Sequence, residues 1–367
     1  MNFDRLAVPA LQGLRAYDPG HDLVAWRRRV GPSLVELGSN ENPWGASPAA
    51  RAAVLDQLHA IHRYPDPLGG DLKRALAQKH GLAVEQLILG NGSHELLMQF
   101  AQVFAGPGDE VVASQYGFAV YAIATQAAGA TLRAAPALPR EHATMPRGHD
   151  LDAIAEAVGP RTKLVYLANP NNPTGTHFTI DTLANFLRKL PPEVLVVVDE
   201  AYAEFVEGGE SALSLLAHHP NLIVTRTFSK AYALAGLRVG FAVAHPGLIA
   251  VIERVRESFN VNCMGLAAAE AALGDVEHLQ WGLARNAEER ARLADALRSR
   301  GWFVHPSQTN FLLVEFGART AAIEAGLLDR GVIPRPMIGY GLGDCLRITV
   351  GDRNENRRFL DALDALA

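Results

Sequence analysis

Five consecutive aliphatic residues, Val194-Leu195-Val196-Val197-Val198, form the strongest strand signal in the chain, and Asp199-Glu200-Ala201-Tyr202 follows directly. A strand with no polar alternation must be covered on both faces, the condition of a parallel sheet between helices. Shorter apolar runs repeat the pattern at Leu87-Ile88-Leu89, Glu110-Val111-Val112-Ala113, Lys163-Leu164-Val165-Tyr166-Leu167, Ile223-Val224 and Val239-Gly240-Phe241-Ala242. Helical patterns separate most of them, so an α/β fold with a large, mainly parallel sheet flanked by helices is expected. A chain of 367 residues is long for one core. The large domain is expected over residues 45–250. After residue 250 helical pattern dominates to Arg300, followed by two apolar segments at 310–315 and 345–350 with a helix between them at about 319–330. These features predict a smaller α+β domain over 251–367, joined by the N-terminal segment 1–44.

Composition narrows the function classes. Hydrophobic residues at 49% and charged residues at 20% are ordinary for a soluble globular protein. A net charge of −5 offers no surface for nucleic acid. No apolar stretch is long enough to span a membrane, and the N-terminus lacks the apolar core of a signal peptide. The two cysteines, Cys263 and Cys345, form neither a disulfide framework nor a metal motif. A cytoplasmic protein without a metal is expected.

Ligands of open parallel sheets sit at the C-terminal ends of the strands. The loops bearing Asn172, Asp199 and Lys230 each follow a strand. Lys230 sits in small, apolar surroundings after Thr227-Phe228-Ser229, and Arg238 lies eight positions on. Poor solvation and a nearby cation would lower its pKa and make a nucleophilic amine. Thr227, Ser229 and Arg238 are suited to a phosphate. These residues alone fit a surface lysine after a strand equally well. Other elements favour the site. Gly90-Asn91-Gly92-Ser93-His94 reads as a strand, a glycine-rich turn and a helix start, the setting for a second phosphate contact. Asp199 could face a pyridine nitrogen, or could simply cap a helix. Asn172 and Tyr202 could donate to a ring oxygen, and Tyr116 could stack on a flat ring. Together these features point to pyridoxal 5'-phosphate.

The motifs Asn171-Asn172-Pro173-Thr174-Gly175, Asp199-Glu200-Ala201-Tyr202, Ser229-Lys230 and Leu237-Arg238-Val239-Gly240 resemble the signature of fold-type I pyridoxal-phosphate aminotransferases, over essentially the whole chain. Ser39-Asn40-Glu41-Asn42-Pro43, Arg63-Tyr64-Pro65-Asp66, the stretch 227–238, and Leu346-Arg347-Ile348-Thr349-Val350-Gly351 with Glu355-Asn356 are similar to the histidinol-phosphate aminotransferase family. The resemblance implies transamination of L-histidinol phosphate with 2-oxoglutarate in histidine biosynthesis. It also implies a homodimer with active sites at the subunit interface. It assigns Lys230 to the cofactor aldehyde and to proton transfer, Asp199 to the pyridine nitrogen, Asn172 and Tyr202 to the ring oxygen, and Tyr116 to the ring face. Gly92, Ser93, His94, Thr227, Ser229 and Arg238 would surround the cofactor phosphate, with Tyr64 from the other subunit. Arg347 would hold the glutamate carboxylate and Arg335 the substrate phosphate. Asn40 and a Tyr17 that reaches into the partner's site would complete the substrate set. His94 departs from the family, where many relatives carry an acid. The alternatives are an aromatic amino-acid aminotransferase and a threonine-phosphate decarboxylase. A cofactor-sensing regulator would need a DNA-binding module, and no segment is spare for one.

Overall fold

The central sheet of the computed structural model, which describes residues 1–366, has seven strands. Their order is Leu87–Gly90, Gly240–Ala244, Leu222–Thr227, Leu195–Asp199, Thr162–Ala168, Glu110–Ser114 and Thr131–Ala135. Gly240–Ala244 runs antiparallel to both its neighbours, and the other pairings are parallel. Both faces are covered, as the unbroken aliphatic runs require. Val196 and Val198 enter the core on one face and Val197 the core on the other, the period of two of a strand. Val165 and Leu167 alternate with Leu164 and Tyr166 in the same way.

Local signals set the helix ends. Ser47 accepts from the Ala50 N–H at 3.1 Å, and Pro48 opens the helix Pro48–Gln57. Gly81 closes Gly70–His80 in the left-handed conformation. The helix Ser93–Phe104 begins immediately after the strand Leu87–Gly90 and its turn, so its N–H groups face the strand ends. The edge strand Thr131–Ala135 has no counterpart in the sequence reading. Four of its five residues are exposed or half-buried, so no apolar run marks it.

The helix Cys263–Gly274 lies beyond residue 250 in sequence, yet it packs Ala268, Ala269, Ala272 and Leu273 into the large core. A second core begins with the long helix Val276–Ser299, which contributes Leu293, Ala294 and Leu297. Here a four-stranded antiparallel sheet runs in the order Arg335–Pro336, Cys345–Thr349, Phe311–Glu315, Phe303–Val304. The helices Thr320–Asp329 and Arg353–Asp364 pack Ile323, Leu327 and Phe359 into the same core. Val35 and Leu37 join it, brought in by the parallel pairing of Val35–Glu36 with Val332–Ile333. This ties the N-terminal chain to the second core and carries residues 38–42 across to the ends of the large sheet. Among the described residues no helix is long and apolar enough to cross a membrane.

Candidate active site

The C-terminal ends of Leu195–Asp199, Leu222–Thr227 and Thr162–Ala168 open into a cavity of about 320 Å³ between the two cores. Strand alternation decides which polar side chains face it. Asp199 lines the cavity, whereas Glu200 accepts from Arg226 Nε at 3.0 Å and from Ser211 Oγ at 2.8 Å. Arg226 follows Thr225, the register partner of Asp199, and points the opposite way. Two adjacent carboxylates thus have different fates. Glu200 is paired with a cation. Asp199 is 5% exposed and has only neutral partners among the described residues: Tyr121 Oη donates at 3.1 Å, Thr225 Oγ1 donates at 3.0 Å, and the Ala201 N–H donates as well. Burial pushes its pKa up to about 6, against the pull of these donors.

Lys230 Nζ donates to the carbonyls of Ser39 and Asn40, both at 3.2 Å. Burial lowers its pKa to about 8, and the next contribution comes from the Arg347 guanidinium, ahead of Arg238. Glu41 and Glu36 oppose the shift. The Tyr202 hydroxyl accepts from Asn40 Nδ2 at 2.8 Å, which leaves its own proton free to donate. Burial raises its pKa, so it stays a neutral phenol.

An anion cradle forms one wall. Ser93 and His94 begin a helix, and Thr227, Ser229 and Arg238 stand beside them in the lining. Arg238 Nη1 donates to Ser229 Oγ at 3.3 Å and to the Ala235 carbonyl at 3.0 Å. Arg238 holds the left-handed conformation, φ 55°, which costs a non-glycine residue on the order of 1 kcal/mol and collects at functional sites. The cradle admits no side chain at two glycines. A Cβ on Gly92 would lie 2.5 Å from Arg238 Nη2, and one on Gly240 would lie 2.3 Å from the Ser93 nitrogen. Burial, reinforced by Arg238, lowers the pKa of His94 and favours a neutral ring.

Two further arginines come from the small sheet. Arg335 and Arg347 are register partners on adjacent antiparallel strands, so they share one face. Arg347, 7% exposed, donates to Asn172 Oδ1 at 2.7 Å and to the Gly38 carbonyl at 2.6 Å, while its Nε has no partner among the described residues. Arg335 donates to the Asp18 carbonyl.

Residues 32–363 match the family model "Aminotransferase class I and II". The chain is 46% identical to histidinol-phosphate aminotransferase 2 of Pseudomonas fluorescens over 367 residues, covering 99% of this chain and 97% of the relative. It is 45% identical to the protein of the same name from Pseudomonas aeruginosa, covering 99% and 98%. The chain belongs to the histidinol-phosphate aminotransferases, within the class I and II aminotransferases. Its fold agrees: the histidinol-phosphate aminotransferase of Sinorhizobium meliloti, solved in complex with pyridoxal-5'-phosphate, superposes with a TM-score of 0.88 at 30% identity, covering 98% of each chain.

In this aminotransferase thirteen of the residues singled out in the sequence line one cavity: Tyr17, Asn40, Ser93, His94, Asn172, Asp199, Tyr202, Thr227, Ser229, Lys230, Arg238, Arg335 and Arg347. Gly92 lies directly behind the cradle. Two placements, those of Tyr17 and Tyr116, differ from expectation. Tyr17 lines the cavity of its own chain, with its ring 6.3 Å from that of His94, because Arg335 binds the adjacent Asp18 carbonyl. Tyr116 stands outside the lining and packs beside Met337 and Leu342, and Phe118 lines the cavity instead. Tyr64 is 80% exposed, stacked on Phe259 at 4.4 Å, and away from the cavity of its own chain. Asp199 follows a strand into a turn and caps no α-helix. The sequence reading missed Tyr121 and Thr225, the donors to Asp199. Thr225 was accessible in principle, since parallel pairing of the two strongest strands places it beside Asp199.

The raised pKa of Asp199 has a consequence for stability. The cofactor-free folded chain holds this proton more tightly than an unfolded aspartate, whose pKa is 3.8. Stability from this group is therefore greatest below about pH 4, falls as the pH rises through about 6, and is level above that. The full shift corresponds to about 3 kcal/mol, part of which an asparagine would lose in hydrogen bonding. Asp199→Asn is expected to stabilise the cofactor-free protein by about 1–2 kcal/mol at pH 7.5 and by little at pH 4.5. Urea unfolding at the two pH values measures this, and an equal effect at both would remove burial as the cause.

Proposed function

We propose that this chain transfers the amino group of L-histidinol phosphate to 2-oxoglutarate, giving imidazole-acetol phosphate and glutamate, with pyridoxal 5'-phosphate as cofactor. The observation that carries the reading is the unbalanced charge of the cavity. Four cationic side chains, Lys230, Arg238, Arg335 and Arg347, line it against two carboxylates, Glu41 and Asp199. Such a cavity is made for anions, and its cross-strand arginines repel until one arrives.

The donor set fits the cofactor. Asp199 is a buried carboxylate without a cation among the described residues, the complement of a protonated pyridine nitrogen. The cradle of Ser93, Thr227, Ser229 and Arg238 suits its phosphate. Lys230 is an amine held by two carbonyls, with a pKa that leaves part of it neutral near physiological pH. When bound, pyridoxal phosphate supplies the electron sink for the pair left when a C–H bond beside the substrate amine breaks. The chain does the rest. Lys230 would take that proton on its amine and give it back. Asp199 would hold a protonated ring nitrogen through its charge. Tyr202 and Asn172 would be the donors to the ring oxygen, and Tyr202 is a neutral phenol whose proton is free to donate. Arg347 offers a carboxylate its unpaired Nε and planar fork. Arg335 offers the distal anion a second fork once it releases the Asp18 carbonyl.

The reading extends to a homodimer in the cytoplasm. Leu55, Ile61, Tyr64 and Leu68 expose 60% or more of their surface on one stretch of chain beside Phe259. A surface of that kind suits a second copy of the chain and would carry Tyr64 toward the partner's cradle. Both cysteines are free thiols, which suits a reducing compartment. A double variant, Leu55→Glu with Ile61→Glu, is expected to sediment as a monomer and to bind pyridoxal phosphate at least about tenfold more weakly. A dimer that survives both charges would place the interface elsewhere.

Two experiments test the chemistry. Borohydride should remove the visible band of the holoenzyme and fix the cofactor to the peptide containing Lys230; label on another lysine would sink the assignment. Single-turnover rates test the substrate. Losing one charge-assisted arginine contact costs roughly 1.5–3 kcal/mol, about one to two decades in specificity. Arg347→Ala is expected to impair the glutamate half-reaction more than that of histidinol phosphate. Arg335→Ala is expected to impair histidinol phosphate and to spare phenylalanine, which has no distal anion. Equal losses for the last two donors would favour an aromatic amino-acid aminotransferase.

A further inference from the structure

Glu36 takes no part in the chemistry above, yet it is one residue away from the turn that touches both Lys230 and Arg347. It ends the short parallel pairing with Ile333. Its Oε1 accepts from the Gly38 N–H at 2.8 Å and from Ser39 Oγ at 3.1 Å. The turn so formed presents three successive carbonyls to the cavity. Gly38 O accepts from Arg347 Nη2 at 2.6 Å, and Ser39 O and Asn40 O each accept from Lys230 Nζ at 3.2 Å. The same turn holds Asn40 in the left-handed conformation, φ 54°, which persists only where the surroundings over-determine it. Thr349 Oγ1 accepts from the Asn40 N–H at 2.9 Å and Asn310 donates to the Asn40 carbonyl at 3.0 Å. Asn40 Nδ2 also donates to the Tyr202 hydroxyl, and Glu36 supplies the contacts at the Gly38 and Ser39 end of the turn.

The carboxylate of Glu36 is kept there at a cost. Its Oε2 is buried and accepts from nothing among the described residues, which is unfavourable relative to a satisfied group. It lines a second cavity with Glu41 and Glu355, where Arg27 is the only cationic side chain among the described residues. Burial raises its pKa, and Glu41 adds to the shift while Arg27 opposes it. A neutral residue would fill the place more cheaply if filling were all that mattered.

We propose that Glu36 is a positioning residue, which sets the Gly38–Asn40 turn and through it the placement of Lys230 and Arg347. The proposal rests on the function proposed above. It assigns to one carboxylate the coupling between the amine that handles the proton and the arginine that holds the substrate carboxylate.

The test compares holoenzymes of wild type, Glu36→Asp, Glu36→Gln and Glu36→Ala. Asp keeps the charge but withdraws the oxygen by one methylene. Gln keeps an oxygen at full reach and removes the charge. Two quantities are read: KM and kcat for 2-oxoglutarate, and the midpoint of a pH titration of the visible band, which reports the surroundings of Lys230. The groups facing Lys230 in that titration are Arg347, Arg238, Glu41 and Glu36, with the neutral Tyr202 ring 5.9 Å from the amine. Glu36→Asp is expected to raise KM at least fivefold and to move the midpoint. Glu36→Gln is expected to recover more than half of the KM loss and to lower the midpoint, since it removes a negative charge near the amine. Glu36→Ala should show both losses. If Glu36→Asp folds with the KM and midpoint of wild type, the positioning role is overturned and Glu36 merely stabilises the chain. If Glu36→Ala does not fold, the Asp and Gln pair still decides. A wild type without a visible band after incubation with pyridoxal phosphate would overturn the proposed function itself, and the role of Glu36 in it.

Discussion

Asp199 sits at the end of a strand whose other residues lie between two apolar cores, and its carboxylate is buried among neutral donors. A buried carboxylate is tolerated when charged only if its lone pairs are occupied or a cation faces it. Tyr121 and Thr225 supply the first condition in part. The second is left open on the cavity side, while Arg226 is committed to Glu200 and Glu204 on the other face of the sheet. The sheet thus separates carboxylates paired with a cation from one that has only neutral partners among the described residues. The cores on the two faces of this sheet support the carboxylate and keep it dry, fixed and short of a cation.

The small sheet supplies the opposite shortage. Arg347 is a buried guanidinium with an unpaired Nε and, among the described residues, no carboxylate partner, and Arg335 stands beside it in register. Their strands are held from the other end by two further arginines. Arg147 donates to Asp344 at 3.2 and 2.7 Å and to Cys345 Sγ at 3.2 Å, and Arg140 pairs with Glu315 at 3.0 Å. His305, Glu315 and Cys345 lie close enough together to hold a metal ion, but Arg147 stands against this cluster and supplies its positive charge. Cys345 and Arg347 belong to one five-residue strand, so this ion network also fixes how deeply Arg347 enters the cavity.

What was legible in the sequence follows from this arrangement. A polar residue directly after an aliphatic run has one place to go, the end of a parallel sheet. The loops bearing Asn172, Asp199 and Lys230 are therefore expected to converge, although Lys230 with Thr227, Ser229 and Arg238 fits a surface lysine equally well, and Asp199 a helix cap, until the other elements are added. Side chains whose role depends on facing could not be read this way. Tyr121 reaches Asp199 from a helix with no local signal, and Phe118 and Tyr116 differ only in which way one turn of chain rotates. Glu36 looks like any charged residue between apolar neighbours, and only the carbonyls of the following turn give it a role. The edge strand Thr131–Ala135 was hidden because it is mostly exposed. The cores themselves follow strand periodicity, but the packing of the helix Cys263–Gly274 on the large sheet depends on small alanine side chains, which carry little periodic signal.

The two shortages complement each other, and that is the physical basis of a site shared between the two cores. The large sheet holds a carboxylate that lacks a cation, and the small sheet holds guanidinium groups that lack an anion. They do not pair with each other: Arg347 is engaged by Asn172 and the Gly38 carbonyl, both neutral, which occupy its two Nη groups without cancelling its charge. Neutral partners keep both charges oriented and uncompensated, so a ligand carrying a cation at one end and anions at the other finds its complement already built. The turn at 38–40 is where this is managed. It engages Arg347 and Lys230 through carbonyls and Tyr202 through an amide, so it orders three site residues while adding no charge of its own.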